Sequence, residues 1–156
     1  MTRQCVISKA RSLVGRTDSG RPMVKFRHQG RDPKSGLDCA GVVVWVAHEL
    51  GYRENFDFTA YERYPNSRQL RMMLDANMHR KLKGDALPGD VLLLRDVCTR
   101  WPLHLGLLTD FRGDRGILHS WVKVRGVVET AIPKAWKFRV AGIYCYRPLA
   151  EVGWDV

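Results

Sequence analysis

Three side chains of the sequence combine the residue types that nucleophilic catalysis requires. Cys39 lies in the segment Gly36–Gly41, directly before an apolar run, and His104 and His119 follow far along the chain, each within an apolar stretch. A cysteine attacks a carbonyl as its thiolate, so it needs a base such as histidine, and the base needs a third group to orient it. The order of these residues along the chain, a cysteine followed by two histidines, predicts Cys39 as nucleophile, His104 as base and His119 as orienting group.

The surroundings of Cys39 predict a helix that begins at the cysteine. Asp38 is a good N-cap residue, the run Cys39–Leu50 is nearly all apolar, and Gly51 is a typical helix stop. Unpaired N–H groups at a helix N-terminus carry partial positive charge, which stabilises a thiolate and lowers the pKa of a cysteine there. We therefore expect Cys39 to be the most reactive thiol of the chain. The other three cysteines are Cys5, Cys98 and Cys145.

Each of these features also has a plain structural explanation. An apolar helix can contain a packed cysteine, His104 can be a hydrogen-bonded core residue of its strand, and His119 can be a surface residue at a strand end. Gly106, two residues after His104, leaves the same strand face open, which favours a ligand or a second backbone lying close. Trp101 and Trp121 flank the two histidine segments and are candidate walls of a cleft. The catalytic interpretation therefore depends on the combination of Cys39, His104 and His119, and not on any one of them.

The elements that position these residues fall into two halves. Helical spacing of apolar residues predicts helices over residues 3–14, over 39–50 and from Ser67 onward, with His79 in the helical part. After the turn Leu87–Asp90, short apolar runs predict strands over 91–94, 103–108, 116–120, 121–128 and 138–146. Helices followed by strands predict an α+β fold, with a helical N-terminal half packed on an antiparallel sheet of about five strands. The length of 156 residues predicts one domain over 1–156.

Composition narrows the possible partners. The net charge of +10 favours binding to anionic surfaces such as cell walls or nucleic acid. The basic residues are scattered, however, and no zinc-finger or stacked-aromatic motif occurs, so no specific nucleic-acid binding is expected. No apolar run reaches the roughly 20 residues of a membrane span. Met1–Ala10 has no apolar signal segment, which predicts synthesis in the cytoplasm. The cysteine spacing predicts neither a disulfide framework nor a metal site, and no cofactor is expected.

Four segments, taken in order, resemble the NlpC-type family of papain-like cell-wall cysteine peptidases. Gly36–Gly41 is similar to the family's Asp-Cys-Ser/Ala-Gly segment, Pro88–Val91 to its Pro-Gly-Asp segment, His104–Gly106 to its His-x-Gly segment, and His119 to its third polar residue. The resemblance covers Ala10 to Ser120. It implies a papain-like fold and a cysteine endopeptidase that hydrolyses peptidoglycan stem peptides, commonly between D-γ-glutamate and a diamino acid.

The loop before the nucleophile adds a detail and a departure. Phe26–Arg31 resembles the branch of the family carried by phage tail proteins, which implies a virion-associated or released enzyme with tail proteins as partners. The family's tyrosine here is implied to stabilise the oxyanion, and Phe26 takes its place without a hydroxyl. If the loop is extended, His28 faces the same way as Phe26 and is the first candidate donor, with Gln29 second. Asp38 is grouped with them as a candidate oxyanion or substrate-binding residue.

Three other functions stay open on this reasoning. One is a thioester-forming amidase or acyltransferase on the same scaffold. Another is a catalytically inactive module for tail assembly or cell-wall binding, which the intact Cys39, His104 and His119 argue against and Phe26 argues for. The third is a nucleic-acid binder, which the positive charge alone supports.

Overall fold

The computed structural model describes residues 1–52, 57, 61, 67–82, 84–96, 98 and 101–151, and it has the predicted α+β order of helices before strands. The helices are α1 (Arg3–Arg11), α2 (Cys39–Glu49), α3 (Ser67–Asn77) and α4 (Arg147–Glu151), with 3-10 turns at Val122–Val124 and Lys134–Arg139. The strands are β1 (Arg31–Asp32), β2 (Gly36–Leu37), β3 (His79–Lys81), β4 (Val91–Arg95), β5 (Pro102–Phe111), β6 (Asp114–Trp121), β7 (Gly126–Ala131) and β8 (Val140–Cys145). Strands β3 to β8 form one antiparallel sheet in the order β3-β8-β4-β5-β6-β7, and β1 pairs with β2 in a small hairpin.

The predicted nucleophile helix forms as expected. Its first residue is Cys39, Asp38 caps it, and it ends at Glu49 before Gly51, whose φ of +69° lets the chain leave in the left-handed conformation. Helix α3 also begins where predicted. Of the apolar stripe that predicted it, Leu70 and Leu74 are buried and Met73 is partly buried, and Met78 is buried directly after the helix ends. No helix among the described residues is long and apolar enough to cross a membrane.

Three predictions about the sheet are wrong. Residues 121–128 do not form one strand, because the chain makes a 3-10 turn at Val122–Val124 and passes through Arg125 with a φ of +60° before β7 begins. Phe138 belongs to the 3-10 turn before β8 and is 75% exposed. His79 lies on the edge strand β3 of the six-stranded sheet and not in a helix.

The two faces of the sheet carry different cores. Helices α1 to α3 cover the face that carries Leu93, Leu105, Leu107 and Leu118. The opposite face carries Leu92, Leu94, Leu108, Ile117 and Ile143, against which Trp136 and its neighbours pack. Because side chains alternate along a strand, His104 shares its face with Leu108, and His119 shares its face with Ile117. Both histidines therefore lie on the face that the segment 132–140 crosses.

Candidate active site

Asp38 fixes the N-terminus of the nucleophile helix. The side chain is 5% exposed. Its carboxylate accepts four hydrogen bonds, from the backbone N–H groups of Gly41 (2.8 Å) and Gln29 (2.7 Å), the Tyr61 hydroxyl (2.6 Å) and the Arg31 guanidinium (3.3 Å). The expected N-cap is confirmed. With both oxygens engaged in this way, Asp38 holds the helix and the loop together, and its grouping with the substrate-binding residues stays a prediction.

Close packing holds the backbone around Cys39 on two further sides. A Cβ at Gly41 would overlap the carbonyl oxygen of Gly30, so the loop lies directly on the first turn of α2. On the other side, the buried Ser120 hydroxyl donates a 2.6 Å hydrogen bond to the carbonyl oxygen of Leu37, two residues before Cys39. The thiol therefore sits on a backbone tied both to the preceding loop and to β6.

His104 and His119 meet across the β5–β6 hairpin, as the sequence predicted. Nε2 of His104 and Nδ1 of His119 are 2.6 Å apart. Gly106 does not leave space for a ligand, because a Cβ there would overlap the side chain of Ile117. His119 is 1% exposed, and Trp121 stacks on it with ring centroids 5.5 Å apart, so this tryptophan walls the pair as proposed. Trp101, by contrast, is 59% exposed.

Burial keeps both imidazoles neutral. It lowers the pKa of His104 to about 3, with further lowering from His119 and the Arg139 guanidinium, and it lowers the pKa of His119 to about 4, again with help from Arg139. A base at His104 must present an unprotonated Nδ1 to the thiol, so its Nε2 must carry the hydrogen and donate it to Nδ1 of His119. His119 then carries its own hydrogen on Nε2, which is buried and has no hydrogen-bond partner in the part of the chain described.

The expected lowering of the Cys39 pKa is wrong in direction. Burial, and then the neighbouring Asp38 carboxylate, raise the pKa of Cys39 to about 12, while backbone hydrogen bonds from Leu105, Ala40 and Cys39 itself lower it by less. The carboxylate that caps the helix thus works against the field that the helix N-terminus provides. The Leu105 amide places the sulfur against β5, one residue after His104.

No hydrogen bond joins Cys39 to His104 among the residues that the structure describes. Catalytic hydrogen bonds are often long without substrate and tighten when it binds, so this geometry is compatible with His104 as a base. The free protein therefore holds Cys39 as a neutral thiol and His104 as a neutral imidazole, rather than as a thiolate paired with an imidazolium.

These pKa shifts predict the order in which the cysteines react with iodoacetamide. Cys5 is exposed and a hydrogen bond from Thr2 lowers its pKa, whereas the Cys39 pKa is raised. At about pH 8 the thiolate fraction of Cys39 is about three orders of magnitude below that of an ordinary exposed thiol. Because the thiolate reacts, Cys39 should label much more slowly than Cys5, and its rate should keep rising with pH. Peptide mapping after limiting alkylation measures the order. Labelling of Cys39 ahead of Cys5 would mean that a thiolate already forms at rest.

The loop before the nucleophile is turned rather than extended. The Gly30 N–H donates to the carbonyl oxygen of Arg27 (2.9 Å), and Gln29 has a φ of +54°. The alternation that ranked His28 above Gln29 required an extended loop, so that argument does not hold at these two residues.

The hydrogen bonds of this loop nevertheless separate the two candidate donors. The Gln29 backbone N–H donates to Asp38, and its side-chain Nε2 donates to the Tyr61 carbonyl oxygen at 2.6 Å. The His28 ring is partly exposed and meets the Tyr61 ring edge to face, with centroids 5.7 Å apart. The Gln29 donors are thus committed within the protein, and a role of His28 toward an oxyanion stays a prediction.

Sequence reasoning missed three residues around the site. Tyr61 donates to Asp38, and Trp136 meets His119 with ring centroids 6.4 Å apart. The Arg139 guanidinium lies 4.2 Å from the Trp136 ring, and its Nε donates to the carbonyl oxygen of Arg95 (2.9 Å). No motif marks Tyr61, and the other two could be found only by knowing that their segment crosses the histidine face.

No protein-family model matches this sequence, and no curated protein is similar to it in sequence. Solved structures are similar in fold. They include a lipoprotein-like NLP/P60 family protein from Staphylococcus aureus (13% identity, TM-score 0.58, covering 92% of this chain and 41% of that one) and an NLPC/P60 family protein from Bacillus cereus (18%, 0.59, 92% and 40%). Ly7917 is also similar (13%, 0.61, 94% and 63%), and it has been solved with the hydrolysis product of MDP as well. The chain thus spans about two fifths of the first two proteins and less than two thirds of the third.

Proposed function

Because the chain has the papain-like fold of NlpC/P60 proteins, we propose that it is a cysteine peptidase that hydrolyses amide bonds of peptidoglycan peptides. The observation that carries the proposal is the 2.6 Å contact between His104 and His119, next to a helix that begins at Cys39. In this proposal Cys39 is the nucleophile, His104 is the base and His119 orients the base, which are the roles that acyl transfer requires.

In the proposed reaction, the Cys39 sulfur bonds to the substrate carbonyl carbon as its proton moves to Nδ1 of His104. The raised thiol pKa and the lowered imidazole pKa oppose proton transfer at rest, so the transfer accompanies bond formation. The Cys39 N–H, at the helix N-terminus, donates to the developing oxyanion. His104 then gives the proton to the leaving amine, the C–N bond breaks, and water hydrolyses the resulting thioester.

Surface charge and the similar structures support a peptidoglycan-derived substrate for this proposed activity. A net charge of +10 attracts the carboxylates and phosphates of a bacterial wall. Ly7917 has been solved with the hydrolysis product of MDP, a peptidoglycan-derived compound. We assign the bond between D-γ-glutamate and a diamino acid, and a place on a phage particle, on the motif resemblance alone. Mass spectrometry of purified virions tests the second assignment.

Digestion of purified peptidoglycan tests the reaction itself. Fragments analysed by mass spectrometry should carry a new amino group on one product and, on the other, a new carboxyl group, with the mass of one water gained per cut. Products joined to an added amine, without that water, would identify an acyltransferase instead. Intact stem peptides after prolonged incubation of folded protein would contradict both enzymatic functions.

A catalytically inactive wall-binding module is the second candidate, and specific observations favour it. The thiol pKa is raised, and among described residues no hydrogen bond links Cys39 to His104. Phe26 also lacks the hydroxyl of the family's tyrosine. Such a module would be retained on the same walls, with retention falling as salt rises, and would release no fragments.

A further inference from the structure

A cavity of about 360 Å³ opens on the sheet face opposite helices α1 to α3. Its floor is made of Leu92 and Leu94 on β4, Leu108 on β5 and Ile143 on β8, and Trp136 forms part of one wall. We call this space the back cavity. The residues that line it do not include Cys39, His28, His104 or His119, so it is separate from the candidate active site.

The back cavity has the size and lining of a small-molecule site. Protein interiors rarely contain voids much larger than a water molecule, whereas ligand pockets measure roughly 300–1,000 Å³ and are mostly apolar with a few polar groups. The floor residues themselves are only 1–4% exposed. The gain on binding would come from the alkyl chain, which leaves water for an apolar surrounding when it enters the cavity.

The basic residues at the mouth of the cavity favour a ligand with negative charge. Arg115, Lys134 and Lys137 line it, and all three are exposed. None of them forms an ion pair with a described residue. Among the described residues of the lining, Asp114 is the single acidic one, and it accepts a hydrogen bond from the backbone N–H of Arg115 (2.7 Å). Three unneutralised cations around an apolar floor complement an anionic head group attached to an apolar tail.

We propose that the back cavity binds an anionic amphiphile with a single alkyl chain. The chain lies on the leucine floor, and a carboxylate or phosphate head group meets Arg115, Lys134 and Lys137. This binding is independent of peptide hydrolysis. Trp136 lines the cavity and also meets His119, so it provides a fluorescent reporter on the cavity wall.

Titration calorimetry with monomeric dodecanoate tests both parts of the ligand. Octanoate should bind about 200-fold more weakly, since each buried methylene contributes about 0.8 kcal/mol, or roughly fourfold in affinity. Dodecanol should bind about tenfold more weakly, because it cannot pair with the cations. Dodecyl phosphate should bind with the same affinity as dodecanoate if the cations recognise negative charge rather than the shape of a carboxylate. Binding to anionic phospholipid vesicles without binding to any monomeric amphiphile would overturn the proposal in favour of a membrane-surface patch.

Two variants locate the binding. Ala86→Phe places a ring in the cavity and should abolish dodecanoate binding, with circular dichroism as the check on folding. The double variant K134Q/K137Q keeps the cavity and should weaken dodecanoate about tenfold while leaving dodecanol unchanged. Exposed lysines elsewhere give a matched control, K25Q/K34Q, which should bind like wild type. If Ala86→Phe does not fold, the lysine pairs decide: equal dodecanoate affinity in K134Q/K137Q and K25Q/K34Q would place the ligand elsewhere.

Discussion

Alanine at position 39 is expected to abolish the release of peptide fragments from peptidoglycan. The substitution removes the atom that bonds to the substrate, and loss of a nucleophile commonly lowers turnover by at least about 10⁴-fold. Serine should restore little, because its hydroxyl is a weaker nucleophile and the neutral His104 has no hydrogen bond to this position among the described residues. Fragment release per hour, measured on one peptidoglycan preparation, is the readout.

Cys98→Ser is the matched control for this experiment. Cys98 is exposed, and no hydrogen bond among the described residues joins it to Cys39, His104 or His119, so its loss should leave fragment release unchanged. Thermal melts of each variant separate loss of chemistry from loss of fold. If Cys39→Ala stays active and Cys98→Ser is inactive, Cys98 is the nucleophile and the proposed mechanism is wrong.

Substitution of the two histidines is expected to have unequal effects. His104→Ala removes the group that accepts and returns the proton, which should lower kcat by about 10²–10⁴-fold. His119→Asn keeps a side-chain oxygen that can accept from Nε2 of His104 and should retain measurable activity. Full kcat and KM values for both variants test this order, and activity of His104→Ala equal to wild type would remove that histidine from the mechanism.

The pH dependence of kcat/KM distinguishes an electrostatic effect of His119 on His104 from a purely structural role of His119. The lowered pKa of His104 keeps the base unprotonated down to strongly acidic pH, so kcat/KM should fall only below about pH 4. Since His119 contributes to that lowering, asparagine there should raise the pKa of His104 and move the acid limb to higher pH. An unchanged acid limb in His119→Asn would mean that the two rings are not coupled during catalysis.

Much of the fold was readable from the sequence because local signals agreed with the tertiary structure. Asp38 and the apolar run after it predicted α2 from its first residue, and the stripe Leu70 to Met78 predicted α3. The failures have physical causes. The edge strand β3 is three polar residues long with no apolar alternation, and its strand conformation depends on pairing with β8. The 3-10 turn before β8 contains Trp136 and Phe138, whose aromatic character is equally typical of a strand.

The sequence predicted which residues meet in the candidate site better than it predicted their pKa values. The hairpin brought His104 to His119 because antiparallel pairing follows from short connections between apolar strands. The Cys39 pKa was not predictable from the helix alone. It depends on burial and on the Asp38 carboxylate, whose charge acts on the thiol as well as on the cap. Tyr61 and Arg139 reach the site only through tertiary contacts, which no local pattern encodes.

Long-range hydrogen bonds from β6 and from the residue after β8 hold the nucleophile segment, and they have a consequence for protein synthesis. Ser120 bonds to Leu37 across 83 residues, and the Tyr146 hydroxyl bonds to the carbonyl oxygen of Val43 across 103 residues. The cysteine therefore leaves the ribosome long before the strands that position it exist. A nascent chain that stops short of Tyr146 contains Cys39 without this support, so the proposed activity requires translation through Tyr146.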